Sequence, residues 1–158
     1  MSKANKPPRG GDAATNRQAR HKYEITETIE AGIVLLGTEV KSLREGKAQI
    51  ADSYALIDKG EVFIRGMHIP PYRPAANANH DPERVRKLLL NRYEIDRLVG
   101  RLQRKGLTLV PTRVYFKAGR AKVELGLGRG KQAHDKRADI RDRDVRRELE
   151  RDHSQRMR

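Results

Sequence analysis

Cysteine and tryptophan are both missing from this chain of 158 residues. Without cysteine there are no disulfides and no thiolate metal sites, which fits a reducing compartment. Phe, Tyr and Trp together make up only 4%, so any core must be mostly aliphatic. No stretch approaches the roughly 20 apolar residues of a membrane span. The N-terminus shows no apolar run of the secretory type. The expected location is the cytoplasm, with no membrane partner. Acidic charge is in the minority, with Asp and Glu at 21 against Lys and Arg at 35, a net charge of +14.

That charge points to a polyanion. Of the basic residues, 23 are Arg, whose planar fork suits phosphate and base stacking. Both ends and the middle are basic, as expected of a protein touching one extended nucleic acid at several places. At 36% hydrophobic content, one modest core is affordable within a single domain.

The pattern along the chain is mainly β. Residues 1–20 are rich in Pro, Gly, Asn and Lys/Arg without periodicity, and read as a disordered basic arm. From Tyr23 a strand begins, and Gly32 ahead of the run Ile33 to Leu36 suggests a bulge or bend. Thr38 to Gly46 predicts a two-turn helix with Thr38 as N-cap, Gly46 as stop, and Val40 and Leu43 facing inward. Strands are expected over Ser53 to Ile57 and Glu61 to Ile69, joined at Asp58-Lys59-Gly60. Pro74 to Asn79 reads as loop and Asp81-Pro82 as the start of a short helix to about Lys87. Asn91, with Glu94 three residues on, opens a helix stopped by Gly106, with Ile95, Leu98, Val99 and Leu102 on one face. Two last strands, Thr108 to Lys117 and Lys122 to Leu127, flank Ala118-Gly119-Arg120. Pro111 puts an edge or bulge in the first. The expected architecture is a small antiparallel OB-like β-barrel over residues 21–130 with about three peripheral helices.

Residues 131–158 form a charged tail. From His134 to Arg158 nine residues are basic and seven acidic, with only Ile140, Val145, Leu149 and Met157 as sizeable apolar groups. Asp139 and Asp142 stand four residues before Arg143 and Arg146, which favours a helix. With so little to bury, the tail is expected to be disordered alone and helical in a partner's groove.

Nothing in the chain demands catalysis. Gly126-Leu127-Gly128-Arg129-Gly130-Lys131 is not a Walker loop, because Leu125 stands where Gly is needed and Gln132 where Ser or Thr is needed. It reads as a flexible exit from the barrel with N–H groups open to phosphate. The histidines, His21, His68, His80, His134 and His153, show no metal-ligand spacing. Asn79-His80-Asp81 reads as an Asx turn. Arg84, Arg86 and Lys87, just before Leu88-Leu89-Leu90, are candidate phosphate contacts, with the leucines assigned to core.

Several motifs resemble one family. They are Asn16-Arg17-Gln18-Ala19-Arg20-His21-Lys22-Tyr23, Glu30-Ala31-Gly32, Gly37-Thr38-Glu39-Val40-Lys41-Ser42-Leu43-Arg44, Gly46-Lys47-Ala48, Asp52-Ser53-Tyr54, Asp81-Pro82, Arg86 to Leu90, Gly130-Lys131 and Asp135-Lys136-Arg137. In this order they look like the SmpB family, which binds transfer-messenger RNA in bacterial trans-translation. The resemblance spans about Asn16 to Glu150. It implies an OB-like barrel without enzymatic activity or cofactor. It implies binding to the tRNA-like domain of tmRNA, and delivery of alanyl-tmRNA with EF-Tu and GTP to stalled ribosomes. By the resemblance Glu30, Leu89 and Asn91 match positions tied to tmRNA binding. The RNA-binding face is expected to comprise these with Lys41, Arg44, Arg84, Arg86 and Lys87. Lys131, His134, Asp135, Lys136 and Arg137 are expected at the 16S rRNA decoding centre, with the tail in the mRNA channel. DNA is not an expected partner. The rival reading is a structural ribosomal protein or assembly factor with a basic tail.

Overall fold

The computed structural model describes residues 12–103, 106–131 and 133–156. Six strands close a ring: β2 (Tyr23–Ile33), β3 (Tyr54–Asp58), β4 (Glu61–Arg65), β5 (Arg86–Leu89), β6 (Leu107–Lys117) and β7 (Arg120–Gly130). The order is β6-β3-β4-β5-β2-β7, and β7 pairs back onto β6. Every pairing is antiparallel. A seventh strand, β1 (Asp12–Thr15), lies on β6 from Tyr115 to Arg113, beyond the point where β3 meets Leu109. Closure of this kind removes free sheet edges, and the expected barrel is the observed one.

Alternation sets the inside. Val62 and Ile64 of β4 are fully buried, as are Val114 on β6 and Val123, Leu125 and Leu127 on β7. Helix α2 (Gly37–Arg44) adds Leu43, and α3 (Arg92–Leu102) adds Ile95 and Leu98. The core is aliphatic, with each buried side chain worth about 1.5–3 kcal/mol. Asn91 caps α3, and its backbone N–H donates to Glu94 Oε2 at 3.1 Å. Two tight hairpins set the strand registers. Lys59 and Gly60 both have positive φ, as do Ala118 and Gly119, which is the type I′ signature of two-residue loops. Opposite Pro111 the β6–β7 register shifts, giving the bulge that proline led us to expect.

Several expectations are corrected. Residues 12–20 are not a disordered arm: β1 joins the sheet, and α1 (Ala19–Lys22) buries Ala19. Asp12 is held by Arg113 at 3.2 Å, and small alanines at positions 13 and 14 fit under β6. The rest of that segment, residues 1–11, lies outside the described residues. The helix expected from Pro82 to Lys87 is instead a turn followed by β5, whose Arg86 and Leu88 point inward. Leu89 therefore points out and is 52% exposed, so it is not core. The bulge in β2 falls between Ile25 and Glu27, not at Gly32. β4 ends at Arg65 rather than Ile69 because Gly66 turns the chain with φ of +78°. The Gly-rich run is no flexible exit. Gly126 and Gly128 lie inside β7, and a Cβ on Gly128 would stand 2.7 Å from the Glu24 carbonyl oxygen. Glycine there lets β2 cross β7 closely. Helix α2 buries Glu39 and Ser42 beside Leu43, while Val40 is only half-buried. The 74–79 segment is a kinked 3-10 turn over Arg73–Ala78.

The tail is one helix, α4 (Ala133–Arg156). It contains no Gly or Pro and is rich in Arg, which has high helix propensity.

Candidate nucleic-acid interface

Burial of one acid organises the cationic segment after Pro82. Glu39 and Arg86 are both fully buried. Arg86 Nε donates to Glu39 Oε2, Nη1 to the Met67 carbonyl at 2.7 Å and Nη2 to the Pro82 carbonyl at 3.1 Å. Arg84 Nε and Nη2 donate to Glu39 Oε1 at 3.0 and 2.6 Å, and the Leu36 N–H reaches the same oxygen at 3.0 Å. Burial raises the Glu39 pKa. The Leu36 amide, Arg86 and Arg84 together override it and hold the carboxyl below its ordinary range. Arg86 is thus a structural ion locking β5 to α2, not a phosphate contact. The sequence missed this because RKLL reads equally as helix or strand, and only the strand sends Arg86 inward.

His80 is likewise structural. It is 7% exposed, with Nε2 2.9 Å from the Ile69 carbonyl and Nδ1 2.9 Å from Thr38 Oγ1. A carbonyl only accepts, so Nε2 donates, and Nδ1 accepts the Thr38 hydroxyl. Asp81 Oδ1 accepts the Glu83 N–H at 3.0 Å, forming the expected Asx turn.

Glu30, Leu89 and Asn91 come together on a cleft of about 570 Å³. Its walls are the outer face of β2, the β5–α3 junction and the start of α3, with Arg97 and Lys122 at its sides. Gly32 forms its floor under Leu89, where a Cβ would lie 3.2 Å from Leu89 Cβ. Glu30 accepts the Tyr115 hydroxyl, and Lys117 Nζ stands at 3.4 Å. The Tyr115 bond, with Lys117, keeps the Glu30 carboxyl below its usual range. Burial, and then Glu30, push Tyr115 up to about 12. Glu27 pairs with Arg97 and, at 3.2 Å, with Arg101. Past Gly32, Leu89 and Lys122 a second groove of about 290 Å³ continues over Val40, Phe116 and Arg120. Arg44 stacks at its end, 4.3 Å from the Phe116 ring centroid.

The other expected face residues lie around this surface rather than in it. Arg84 is held by Glu39. Lys87 points outward and pairs with Glu61 at 3.0 Å. Lys41 sits 5.6 Å from the Tyr72 ring. Arg97 and Lys122 were not singled out from sequence. Lys122 is visible only through the β2–β7 register, which sets it opposite Gly32. At the other end, the Lys131 N–H donates to the Lys22 carbonyl at 2.9 Å. The side chains of His134, Asp135 and Lys136 lie outside the described residues. Arg137 is exposed, and farther along α4 Arg143 reaches His21 Nδ1 at 3.3 Å. Among the described residues no cluster of His, Asp or Glu is arranged to hold a metal ion, and no helix is long and apolar enough to cross a membrane.

Comparison with known proteins gives consistent relatives. A family model described as "SmpB protein" matches residues 13–155. An SsrA-binding protein of Mycolicibacterium vanbaalenii is 56% identical over 144 residues, 91% of this chain and 87% of that protein. Its counterpart in Acetivibrio thermocellus is 59% identical over 138 residues, 87% of this chain and 90% of that protein. A solved structure described as "tmRNA-SmpB: a journey to the center of the bacterial ribosome" superposes with a TM-score of 0.64 at 55% identity, covering 75% of this chain and 84% of that one.

Proposed function

The chain belongs to the SmpB family, and from that we propose that it binds the tRNA-like domain of tmRNA and serves trans-translation on stalled ribosomes. The observation that carries the residue-level reading is the cleft. Glu30, Leu89 and Asn91 are far apart in sequence yet line one concavity flanked by Arg97 and Lys122. Leu89 is exposed there without any duty in the core. An ionised carboxylate is a poor phosphate partner but a good acceptor for ribose 2′-hydroxyls and base amino groups. Glu30 is oriented for this by Tyr115. Lys122, Arg97 and Arg44 supply the cations that hold backbone phosphates. Arg84, Lys87 and Lys41 extend the positive rim.

Division of labour follows. The barrel grips tmRNA, while Lys131, His134, Asp135, Lys136, Arg137 and α4 act on the ribosome, at the 16S rRNA decoding centre and in the empty mRNA channel. Delivery is as a complex with EF-Tu and GTP, and the protein itself carries out no chemistry. The reading of a structural ribosomal protein is disfavoured by family membership.

The test is copurification. RNA bound to the protein is sequenced, and one dominant species with an acceptor-like stem is expected. Leu89→Ala and Glu30→Ala are expected to weaken its binding several-fold without unfolding the barrel. Affinity should fall with salt at a slope of about 0.7–0.9 per phosphate contacted. A mixed RNA population, or full affinity in both variants, would refute the assignment.

A further inference from the structure

Glu30 of β2 stands directly opposite Glu124 of β7. Like charges set opposite each other on paired strands repel, yet both carboxylates are held in place from β6. Arg113 Nε donates to Glu124 Oε2 at 2.7 Å, and the Thr112 hydroxyl donates to the same oxygen at 2.9 Å. Tyr115 donates its hydroxyl to Glu30 Oε2. Arg113 therefore takes one acid and Tyr115 the other, two residues apart on the same strand.

These two β6 residues are themselves joined. The Arg113 guanidinium lies over the Tyr115 ring, 4.4 Å from its centroid. Its Nη1 donates to Asp12 Oδ1 of β1 at 3.2 Å. Carboxylates from β7 and β1 thus pin one planar fork, an arrangement that a lysine cannot reproduce. Val114 fills the core, so alternation sends Tyr115 to the outer face, where it is nonetheless only 9% exposed. A covered phenol hydroxyl needs a partner, and Glu30 supplies it. Glu30 in turn keeps its side chain 39% exposed, on the wall of the cleft. Its carboxylate is oriented by the barrel and still within reach of a ligand.

We propose that Asp12, Arg113 and Tyr115 form a positioning relay that fixes the Glu30 carboxylate for its contact with tmRNA, and so tie β1 to the cleft across β6 and β7. None of the three lines the cleft itself. The inference rests on the tmRNA reading of that cleft. A glutamate free to rotate gives up rotamer freedom when it binds, and one already held gives up less.

The experiment measures the affinity of the full chain for the tRNA-like domain of tmRNA. On the free protein it also follows the titration of the Glu30 carboxyl carbon by NMR. Tyr115→Phe keeps the ring and its stack and deletes only the hydroxyl. It should weaken binding about two- to tenfold. Its Glu30 should titrate nearer the ordinary value of 4.5, because the Tyr115 bond is the foremost cause holding that carboxyl lower, with Lys117 and Lys122 behind it. In a Glu30→Ala background Tyr115→Phe should cost no further affinity, whereas a hydroxyl needed only for folding would cost the same in both. Arg113→Lys keeps the charge but cannot stack on the ring while reaching both acids, and it and Asp12→Ala should each lose about twofold. Full affinity in Arg113→Lys would mean that this residue acts by charge alone, and would overturn the relay. So would additive losses in the double variant. Unchanged binding by Tyr115→Phe would overturn it too, while leaving the cleft reading intact. Full affinity in Glu30→Ala would instead bring down the cleft reading, and the relay with it.

Discussion

In the barrel, Val62, Ile64, Val114, Val123, Leu125 and Leu127 have no exposed surface, whereas in α4 Ile140, Val145 and Leu149 are 46%, 56% and 64% exposed. One region is held by tertiary burial. The other is held mainly by its own backbone hydrogen bonds, and Arg143 links it to His21. Helix α3 shows the contrast at a smaller scale. It too carries charges on its outer face, but Ile95 and Leu98 anchor it. A helix without such anchors is only marginally stable. The two regions should therefore unfold independently and fail under different conditions.

Truncation after Lys131 tests this most severely. Nascent-chain tagging is expected to vanish, while tmRNA affinity and the barrel's unfolding midpoint stay nearly unchanged. Equal loss of all three would show that the regions are one unit. Next in size is Glu39→Ala, which leaves Arg86 charged and buried without its partner. Denaturant titration should show a loss of about 3–5 kcal/mol. In contrast, Leu98→Ala should cost about 2–5 kcal/mol but Leu149→Ala less than about 0.5 kcal/mol, measured on the barrel transition. If both cost the same, α4 is packed and the comparison is wrong.

Acid should also separate the regions. Glu39 has its pKa lowered in the folded state from an ordinary value of 4.5. The unfolded chain therefore binds a proton first, and the stability contributed by Glu39 is complete above about pH 4.5 and lost as pH falls through the folded value. Glu124 is shifted the same way: burial raises its pKa, and Arg113 and Thr112 more than offset this. Urea melts at pH 7 and pH 3 should show a barrel weakened at low pH, and Glu39→Gln should flatten that dependence. The smallest effect is Asp142→Asn, which removes an acidic charge four residues before Arg146 and should destabilise α4 by about 0.2–0.5 kcal/mol. Circular dichroism at low salt would read it, with the barrel signal unchanged.

Much of this architecture was legible in the residues. Alternating apolar positions and the Lys59-Gly60 and Ala118-Gly119 turns announced the hairpins. Asn91 and Glu94 marked α3, and Pro111 marked a bulge. Short elements escaped. β1 is four residues of small or polar side chains and carries no period. β5 is four residues whose pattern suits two secondary structures, so Arg86 and Leu89 were assigned to the wrong sides. Of the candidate site, Glu30, Leu89 and Asn91 were named through family resemblance, but their shared cleft was not visible.

Composition, charge and local periodicity thus sufficed to specify an aliphatic antiparallel barrel, a polyanionic partner and a helix-prone terminal segment, because each depends on neighbours within a few positions along the chain. Which way Arg86 and Leu89 point, that Lys122 faces Gly32, and that Tyr115 reaches Glu30 were decided only by the closed fold. Those features depend on strand register and barrel closure, which join residues dozens of positions apart.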